Sequence, residues 1–265
     1  MTPSRDRQGK DFPYWLVLAA VIAAGMLVAI VASDVYRQIL ATLSSGIAVT
    51  IFVTLVAFGL ASALGLLLAV CVLSRSTILR QGARFYIEIV RGIPILVLLF
   101  YIAFVGAPAL VVGWNAIAEP LGLGTLATRD LSLMWRAILA LAIGYAAFIA
   151  EVFRAGIQSV EPGQIEAAQA LGLSGWQRFR LIVFPQAIRT ILPPLGNDFI
   201  ALIKDSALVS VLGVADITQL GKIYAAGSFR FFETYNVVAF LYLVMTVGLS
   251  LVLRGFEQRM RGRRA

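Results

Sequence analysis

The sequence predicts an all-α integral membrane protein with about six transmembrane helices. Of its 265 residues, 60% are hydrophobic and only 14% are charged, whereas soluble domains carry about 25% charged residues. Several apolar stretches, such as residues 46–73, reach the ~20 residues that a helix needs to cross ~30 Å of hydrocarbon. These stretches are continuous, while the strands of a transmembrane barrel alternate in polarity over about ten residues. Composition therefore favours helices.

Six apolar segments are predicted to be the spans. They cover residues 13–33, 46–73, 87–112, 133–155, 190–213 and 236–254. The first follows Arg5, Arg7 and Lys10 and is longer than the ~7–15 apolar residues of a signal peptide, so we interpret it as a retained span. The fifth is the least regular, because Pro193 and Pro194 interrupt its helical pattern.

Basic residues predict the orientation of the chain. Placing the N-terminus inside puts most of the 22 Lys and Arg residues on the cytoplasmic side, as the positive-inside rule requires. Both termini are then cytoplasmic, and the basic tail at residues 257–265 faces anionic lipid. This distribution explains the net charge of +8 without a nucleic-acid partner.

Several kinds of chemistry are excluded by residue content. The chain has no histidine and a single cysteine, Cys71, inside an apolar run. We therefore expect no disulfide, no metal site and no catalytic residues. The sequence also lacks the G-x-x-x-x-G-K-[ST] phosphate loop, so we expect no bound cofactor and no ATP hydrolysis by this chain.

A polar segment between the fourth and fifth spans predicts two short cytoplasmic helices. Residues 164–171 are rich in helix formers, and Gly172 fits a left-handed helix end. Ser174 is a good N-cap for a second helix over residues 175–183. Pro185 should end that helix, since the residue before proline disfavours the α conformation.

The same segment carries a recognisable motif. Glu166-Ala167-Ala168, then Gly172, then Ile182 to Pro185 resemble the EAA motif of ABC-importer permeases, with Phe184 where the family has Leu. Residues 87–100, 145–160 and 193–217 also resemble the polar amino acid uptake subfamily. The resemblance covers about residues 40–260. It implies the type I ABC importer permease fold and a multi-pass protein of the bacterial inner membrane.

By that resemblance, the chain is a transmembrane permease subunit that imports a polar amino acid by alternating access. The expected partners are a separate ABC ATPase that uses ATP and Mg²⁺, a second permease (identical or related), an extracytoplasmic amino-acid-binding protein, and the lipid membrane. Residues 1–12 would form a cytoplasmic tail, residues 13–33 an extra first helix, and residues 40–256 the permease domain with its coupling loop at about 156–189. The ATPase-coupling residues would be Glu166, Ala167, Ala168, Gly172, Leu173, Ile182 and Pro185.

Charged and polar side chains within the spans define a candidate substrate pathway. A charge at the centre of a bilayer costs at least ~2.5–3.5 kcal/mol on insertion scales. The candidates are Glu88, Arg91, Gly92, Pro94, Glu151, Asn197, Lys204 and Asp205. Arg91 or Lys204 would take the carboxylate of an amino acid, and Glu88, Glu151 or Asp205 its ammonium. The alternative is that these residues only hold helices together, as the i, i+3 spacings of Glu88 with Arg91 and of Glu151 with Arg154 suggest.

Two other functional classes remain to be weighed. An ion-gradient-driven secondary transporter would often show an inverted repeat, and we see none. An intramembrane enzyme would need a nucleophile with a base or a metal cluster, and the sequence offers neither. The identity of the amino acid and the choice between homodimer and heterodimer stay open.

Overall fold

The computed structural model describes residues 14–262. The predicted N-terminal tail at residues 1–12 and the last three residues of the chain lie outside this range. The described residues form helices and contain no strand. In chain order the α-helices are α1 (Tyr14–Ala32), α2 (Asp34–Leu73), α3 (Thr77–Gly92), α4 (Ile95–Tyr101), α5 (Ala107–Ala118), α6 (Leu133–Gln158), α7 (Pro162–Ala170), α8 (Gly175–Arg178), α9 (Phe184–Asp205), α10 (Ile217–Ser228) and α11 (Phe231–Gly262).

Tight and wide turns connect some of these helices. A π-helical segment at Ile102–Gly106 joins α4 to α5, and a second one at Phe179–Val183 joins α8 to α9. Short 3₁₀ segments occupy Thr128–Asp130 and Ser206–Leu212.

Four helical stretches of the described chain are long and apolar enough to cross a membrane. They are Asp34–Leu73, Ile95–Ala118, Leu133–Gln158 and Phe231–Phe256, and Leu16–Ala32 is a shorter apolar helix. The predicted fifth span, residues 190–213, is not among them because α9 carries three charged residues near its end: Asp198, Lys204 and Asp205. The count of six spans therefore stays a prediction.

The helices differ from the predicted second and third spans at their ends. The second span was predicted over residues 46–73, whereas α2 begins at Asp34 and runs without a break to Leu73. The third span was predicted to begin at residue 87, but α3 ends at Gly92, and Ile93 and Pro94 are extended. Proline explains the break, because Pro94 keeps the residue before it out of the α conformation.

Helix α6 lies at the centre of the fold and packs against α2, α3, α4 and α9. Small residues allow these helices to approach closely, as is common within membranes. A Cβ atom at Gly65 of α2 would lie 3.1 Å from the Ala146 carbonyl oxygen. A Cβ atom at Gly156 would lie 2.2 Å from Cγ1 of Ile191 in α9. Both glycines are needed where they stand because a larger side chain has no room.

Helix α9 joins the polar segment directly to the membrane domain. The prediction that Pro185 ends the second short helix was wrong, since α8, the π-helical segment and α9 form one helical run from Gly175 to Asp205. The π segment accommodates the proline: the Phe184 amide donates to the Phe179 carbonyl five residues back. This wider turn comes where an α-helix would otherwise meet the proline ring.

Candidate functional site

Helices α3, α6 and α9 surround a cavity of about 520 Å³, which we call the aspartate cavity. Its lining residues are Arg91, Gly92, Ile93, Pro94, Ile95, Tyr145, Phe148, Asp198, Ala201 and Asp205. The break between α3 and α4 places extended backbone along one wall. Irregular backbone within a membrane domain is tolerated where it is covered by protein or lines a water-filled space. The volume lies within the ~300–1,000 Å³ range of small-molecule sites.

Two carboxylates of α9 lie along this cavity in different environments. The Tyr145 hydroxyl donates a hydrogen bond of 2.7 Å to Oδ2 of Asp205. Asp198 lies two turns earlier on the same helix, and its Oδ2 is buried with no hydrogen-bond partner. One carboxylate is therefore held by a tyrosine, whereas Oδ2 of the other has no hydrogen-bond donor among the described residues.

Arg91 brings the positive charge to this cavity. It is the last basic residue of α3, and its guanidinium lies 5.6 Å from the centroid of the Phe148 ring. Such a cation–π contact stabilises the guanidinium by about 0.5–2 kcal/mol and holds it at the cavity wall. No carboxylate within the described residues pairs with Arg91.

Arg91 also lines a neighbouring, more polar space of about 400 Å³, the ion-pair cavity. The other residues around it are Val72, Arg84, Glu88, Glu151, Arg154 and Gln158. Arg154 pairs with Oε2 of Glu151 at 2.5 Å and donates to Gln158 Oε1 at 2.6 Å. The predicted Glu151–Arg154 pair is thus confirmed. The Glu88–Arg91 pair that was predicted on α3 is absent. Glu88 is exposed and makes no ion pair with Arg91.

The structure separates the predicted pathway residues into three groups. Arg91, Gly92, Pro94 and Asp205 meet in the aspartate cavity, and Glu88 and Glu151 lie in the ion-pair cavity beside Arg91. Asn197 and Lys204 are exposed and line neither cavity.

Six cavity residues were missing from the predicted pathway: Ile93, Ile95, Tyr145, Phe148, Asp198 and Ala201. Tyr145 and Phe148 belong to a run of apolar residues on α6, where nothing in the sequence sets them apart from core aromatics. Asp198 had a signal, because it lies seven residues before Asp205 and shares its helix face.

The segment between α6 and α9 forms a hairpin of two short helices, α7 and α8, which we call the polar hairpin. Gly172 ends α7 in the left-handed region with φ of +79°, which confirms the predicted conformation. The Leu173 amide donates to the Ala168 carbonyl at 3.1 Å, and the Gly172 amide donates to Gln169 at 2.9 Å. This is the Schellman arrangement, in which a left-handed residue lets the last amides reach back into the helix.

A capping box begins α8. The Ser174 hydroxyl accepts from the Gln177 amide at 3.3 Å, and the Gln177 side chain accepts from the Ser174 amide at 2.8 Å. The predicted N-cap is confirmed. Arg178 then donates to the Gln169 side chain at 2.7 Å and so links α8 to α7.

The polar hairpin is anchored on one side and open on the other. On its anchored side, Ala168 is buried and Ile165 packs against the apolar cluster of Val160, Val183, Ala187 and Ile191. Glu166, Ala167 and Pro185 are exposed, while Leu173 and Ile182 are half-buried. Leu171 and Trp176 are 82% and 68% exposed, and the Trp176 ring stacks on Phe179 with ring centroids 5.8 Å apart, so the open side of the polar hairpin presents apolar surface.

The chain matches the family described as binding-protein-dependent transport system inner membrane component over residues 61–262. It belongs to this family. It is therefore a multi-pass protein of the bacterial inner membrane and the membrane component of a transport system whose ATPase is a separate protein. The predicted family and localisation are confirmed.

Individual relatives agree with this assignment. The chain is 36% identical over 219 residues to a probable amino-acid permease protein, YxeN of Bacillus subtilis, covering 83% of this chain and 91% of that protein. It is 38% identical over 176 residues to the glutamine transport system permease protein GlnP of Escherichia coli, covering 66% and 73%. It is 35% identical over 220 residues to the L-cystine transport system permease protein TcyL of Bacillus subtilis, covering 83% and 87%.

Solved structures confirm the predicted fold. A crystal structure of an amino acid ABC transporter with histidines superposes with a TM-score of 0.70 at 36% identity, covering 84% of this chain and 96% of that one. An inward-facing MetNI methionine ABC transporter superposes with a TM-score of 0.62 at 22% identity, covering 86% and 98%. The second likeness concerns the fold alone. The fold is that of the type I ABC importer permeases.

Proposed function

We propose that this chain is the permease subunit of an ABC importer that moves a polar amino acid into the cell. Relatives named for glutamine, cystine and amino-acid transport support the substrate class. The observation on which the proposal mainly depends is the polar hairpin, because it forms two capped helices and exposes the apolar side chains of Leu171 and Trp176.

The polar hairpin is the docking element for the ATPase. Trp176 is a residue type that often dominates the binding energy of protein interfaces, and the exposed Leu171 adds apolar surface beside it. Glu166 lies on the second turn of α7 and makes no ion pair within the described residues, so it is available to a basic group of the ATPase. Ala167 is exposed and small, which allows close approach of a partner surface. ATP and Mg²⁺ act in that partner, and this chain binds no cofactor.

The aspartate cavity is the site through which the amino acid passes. Arg91 supplies a cation for the α-carboxylate, and Asp205, held by Tyr145, accepts from the α-ammonium. Charged groups of opposite sign that line the same cavity orient a zwitterion. In the ion-pair cavity, in contrast, Glu151 and Arg154 pair with each other and stabilise α6.

Transport proceeds by alternating access between two states. Because α8 continues into α9, a movement of the polar hairpin reaches the carboxylates of the aspartate cavity without passing through a loop. A binding protein delivers the amino acid from outside, and a second permease, identical or related, completes the pathway.

Reconstitution tests this function. The complex of this chain with its ATPase and binding protein is placed in vesicles, and uptake of radiolabelled amino acids is measured with and without ATP. We expect uptake only with ATP and with all subunits present. Vesicles that take up the amino acid equally well without ATP, driven by a proton or sodium gradient, would instead identify a secondary transporter.

A further inference from the structure

We infer that the aspartate cavity takes a cationic amino acid, one whose side chain carries a positive charge, as in arginine or lysine. The inference rests on the proposed function, since it names the substrate class of the same site. It follows from the charge balance of the cavity and from the spacing of its carboxylates.

The charge balance of the cavity is negative. Its ionisable lining residues other than tyrosine are Arg91, Asp198 and Asp205. A neutral amino acid contributes one carboxylate and one ammonium, which pair with Arg91 and with one aspartate. The second aspartate would then stay half-buried without a counter-charge, which is costly where water is partly excluded. A side-chain cation removes this cost.

Neighbouring charges do not cancel the surplus. The ion-pair cavity adds Arg84 and Arg154 as cations and Glu88 and Glu151 as anions, so its own contribution beyond Arg91 is neutral. Lys204 precedes Asp205 in sequence, but it is exposed and does not line the cavity.

The two carboxylates differ in their hydrogen-bond partners, and this difference indicates which one is left for a ligand cation. Asp205 already accepts from Tyr145 at 2.7 Å, whereas Oδ2 of Asp198 is buried and has no partner. Buried polar atoms in proteins are almost always hydrogen-bonded, so the negative charge of Asp198, which lines the cavity, is left for a ligand cation to offset.

The spacing of the carboxylates adds a requirement of length. Asp198 and Asp205 are seven residues apart on α9, which is about 10 Å along a helix axis. A ligand that contacts both must carry two cationic groups several ångström apart. The α-ammonium and the side-chain cation of a long basic amino acid meet this requirement, and the amide of glutamine does not.

Binding of two isosteric amino acids tests the inference without any mutation. L-Arginine and L-citrulline differ in the charge of the side-chain terminus and little in shape. Their dissociation constants are measured by calorimetry on the purified permease–ATPase complex without the binding protein, so that only this site selects. We expect arginine to bind at least ~10-fold more tightly.

Variants then locate the effect. Asp198→Asn should reduce the arginine preference to within about threefold, because the surplus charge is gone. Glu119→Gln, an exposed carboxylate outside both cavities, is the control and should leave the preference intact. Size-exclusion chromatography checks that each complex assembles, and Asp198→Glu, which keeps the charge, should retain the preference.

The outcomes separate the inference from the proposed function. Equal binding of arginine and citrulline, or an arginine preference that survives Asp198→Asn, would overturn the inference while amino-acid import stands. If no amino acid of a panel that includes L-glutamine and L-cystine is taken up with ATP by the full complex, the proposed function fails as well.

Discussion

Replacing Gly172 by alanine isolates the backbone conformation at the turn of the polar hairpin. Gly172 has φ of +79°, and a Cβ atom added there would have no atom within 4 Å. The substitution therefore introduces no clash, and its cost is that of holding an L-residue in the left-handed region, about 1–2 kcal/mol. Such a cost raises the population of the opened turn about 5- to 30-fold.

Hydrogen exchange measures this population directly. The Leu173 amide, which donates to the Ala168 carbonyl at 3.1 Å, exchanges when the turn opens. We expect its exchange in the purified complex to accelerate about 5- to 30-fold in Gly172→Ala. The matched control is Gly163→Ala in the same hairpin, where a Cβ atom also meets nothing within 4 Å but φ is not positive. That control should slow exchange slightly or leave it unchanged, because alanine is the better helix former.

The comparison between the two variants tests whether the left-handed conformation of Gly172 stabilises the turn. If Gly172→Ala and Gly163→Ala alter the exchange rate to the same extent, the left-handed conformation does not hold the turn, and the argument from φ is refuted. If the turn also transmits force from the ATPase, uptake per ATP hydrolysed should fall in Gly172→Ala alone.

Three further predictions concern packing, a charged hydrogen bond and the ATPase interface. Gly156→Ala should destabilise the chain by about 1–3 kcal/mol because its Cβ would lie 2.2 Å from Ile191 Cγ1, which thermal unfolding would detect as a melting temperature lowered by about 2–10 °C. Tyr145→Phe should lower the free energy of unfolding by about 1.5–3 kcal/mol, because Tyr145 donates to the Asp205 carboxylate. Tyr86→Phe should lower it by only about 0.5–1.5 kcal/mol in the same assay, because Tyr86 donates to the neutral Ile143 carbonyl. Trp176→Ala should weaken binding of the ATPase subunit at least ~10-fold without lowering the melting temperature, because the side chain is 68% exposed.

Matched variants control the first and third of these predictions. Gly113→Ala places a Cβ atom in open space and should unfold like the wild type; a similar loss in both glycine variants would contradict the packing argument. Phe232 is 76% exposed on α11, outside the polar hairpin, and its replacement by alanine should leave ATPase affinity unchanged. Equal losses from Trp176→Ala and Phe232→Ala would remove the hairpin from the interface.

Local sequence rules predicted the helix ends well. Gly172 and Ser174 were identified from the residue types that a left-handed end and an N-cap require, and the hydrogen bonds around them follow from those types. The rules failed where proline met tertiary packing. Pro185 and the pair Pro193–Pro194 lie within helical segments. A π turn accommodates Pro185, whereas nothing in the local sequence predicts that the helix continues through Pro193 and Pro194.

Only some residues of the aspartate cavity could be predicted from the sequence. A charged residue within an apolar span stands out in the sequence because placing its charge in the membrane costs free energy. Arg91 and Asp205 were found in this way. Tyr145 and Phe148 could not be found in this way because an aromatic residue on a buried helix has the same composition whether it faces the core or a cavity. Which charged residues share a cavity depends on helix rotation, so Lys204 was grouped with Asp205 although the two side chains point to different surroundings.

The unbroken helical run from Gly175 to Asp205 extends over about 45 Å at 1.5 Å per residue, with α8 at one end and both cavity aspartates towards the other. A shift of α8 along its axis therefore displaces Asp198 and Asp205 relative to Arg91, which belongs to α3. Thermodynamic linkage makes such a connection reciprocal. If ATP binding to the ATPase changes the affinity of the cavity for the amino acid by some factor, the amino acid changes the affinity of the ATPase for ATP by the same factor. A substrate analogue that locks the cavity should thus be detectable from the nucleotide affinity of the partner subunit.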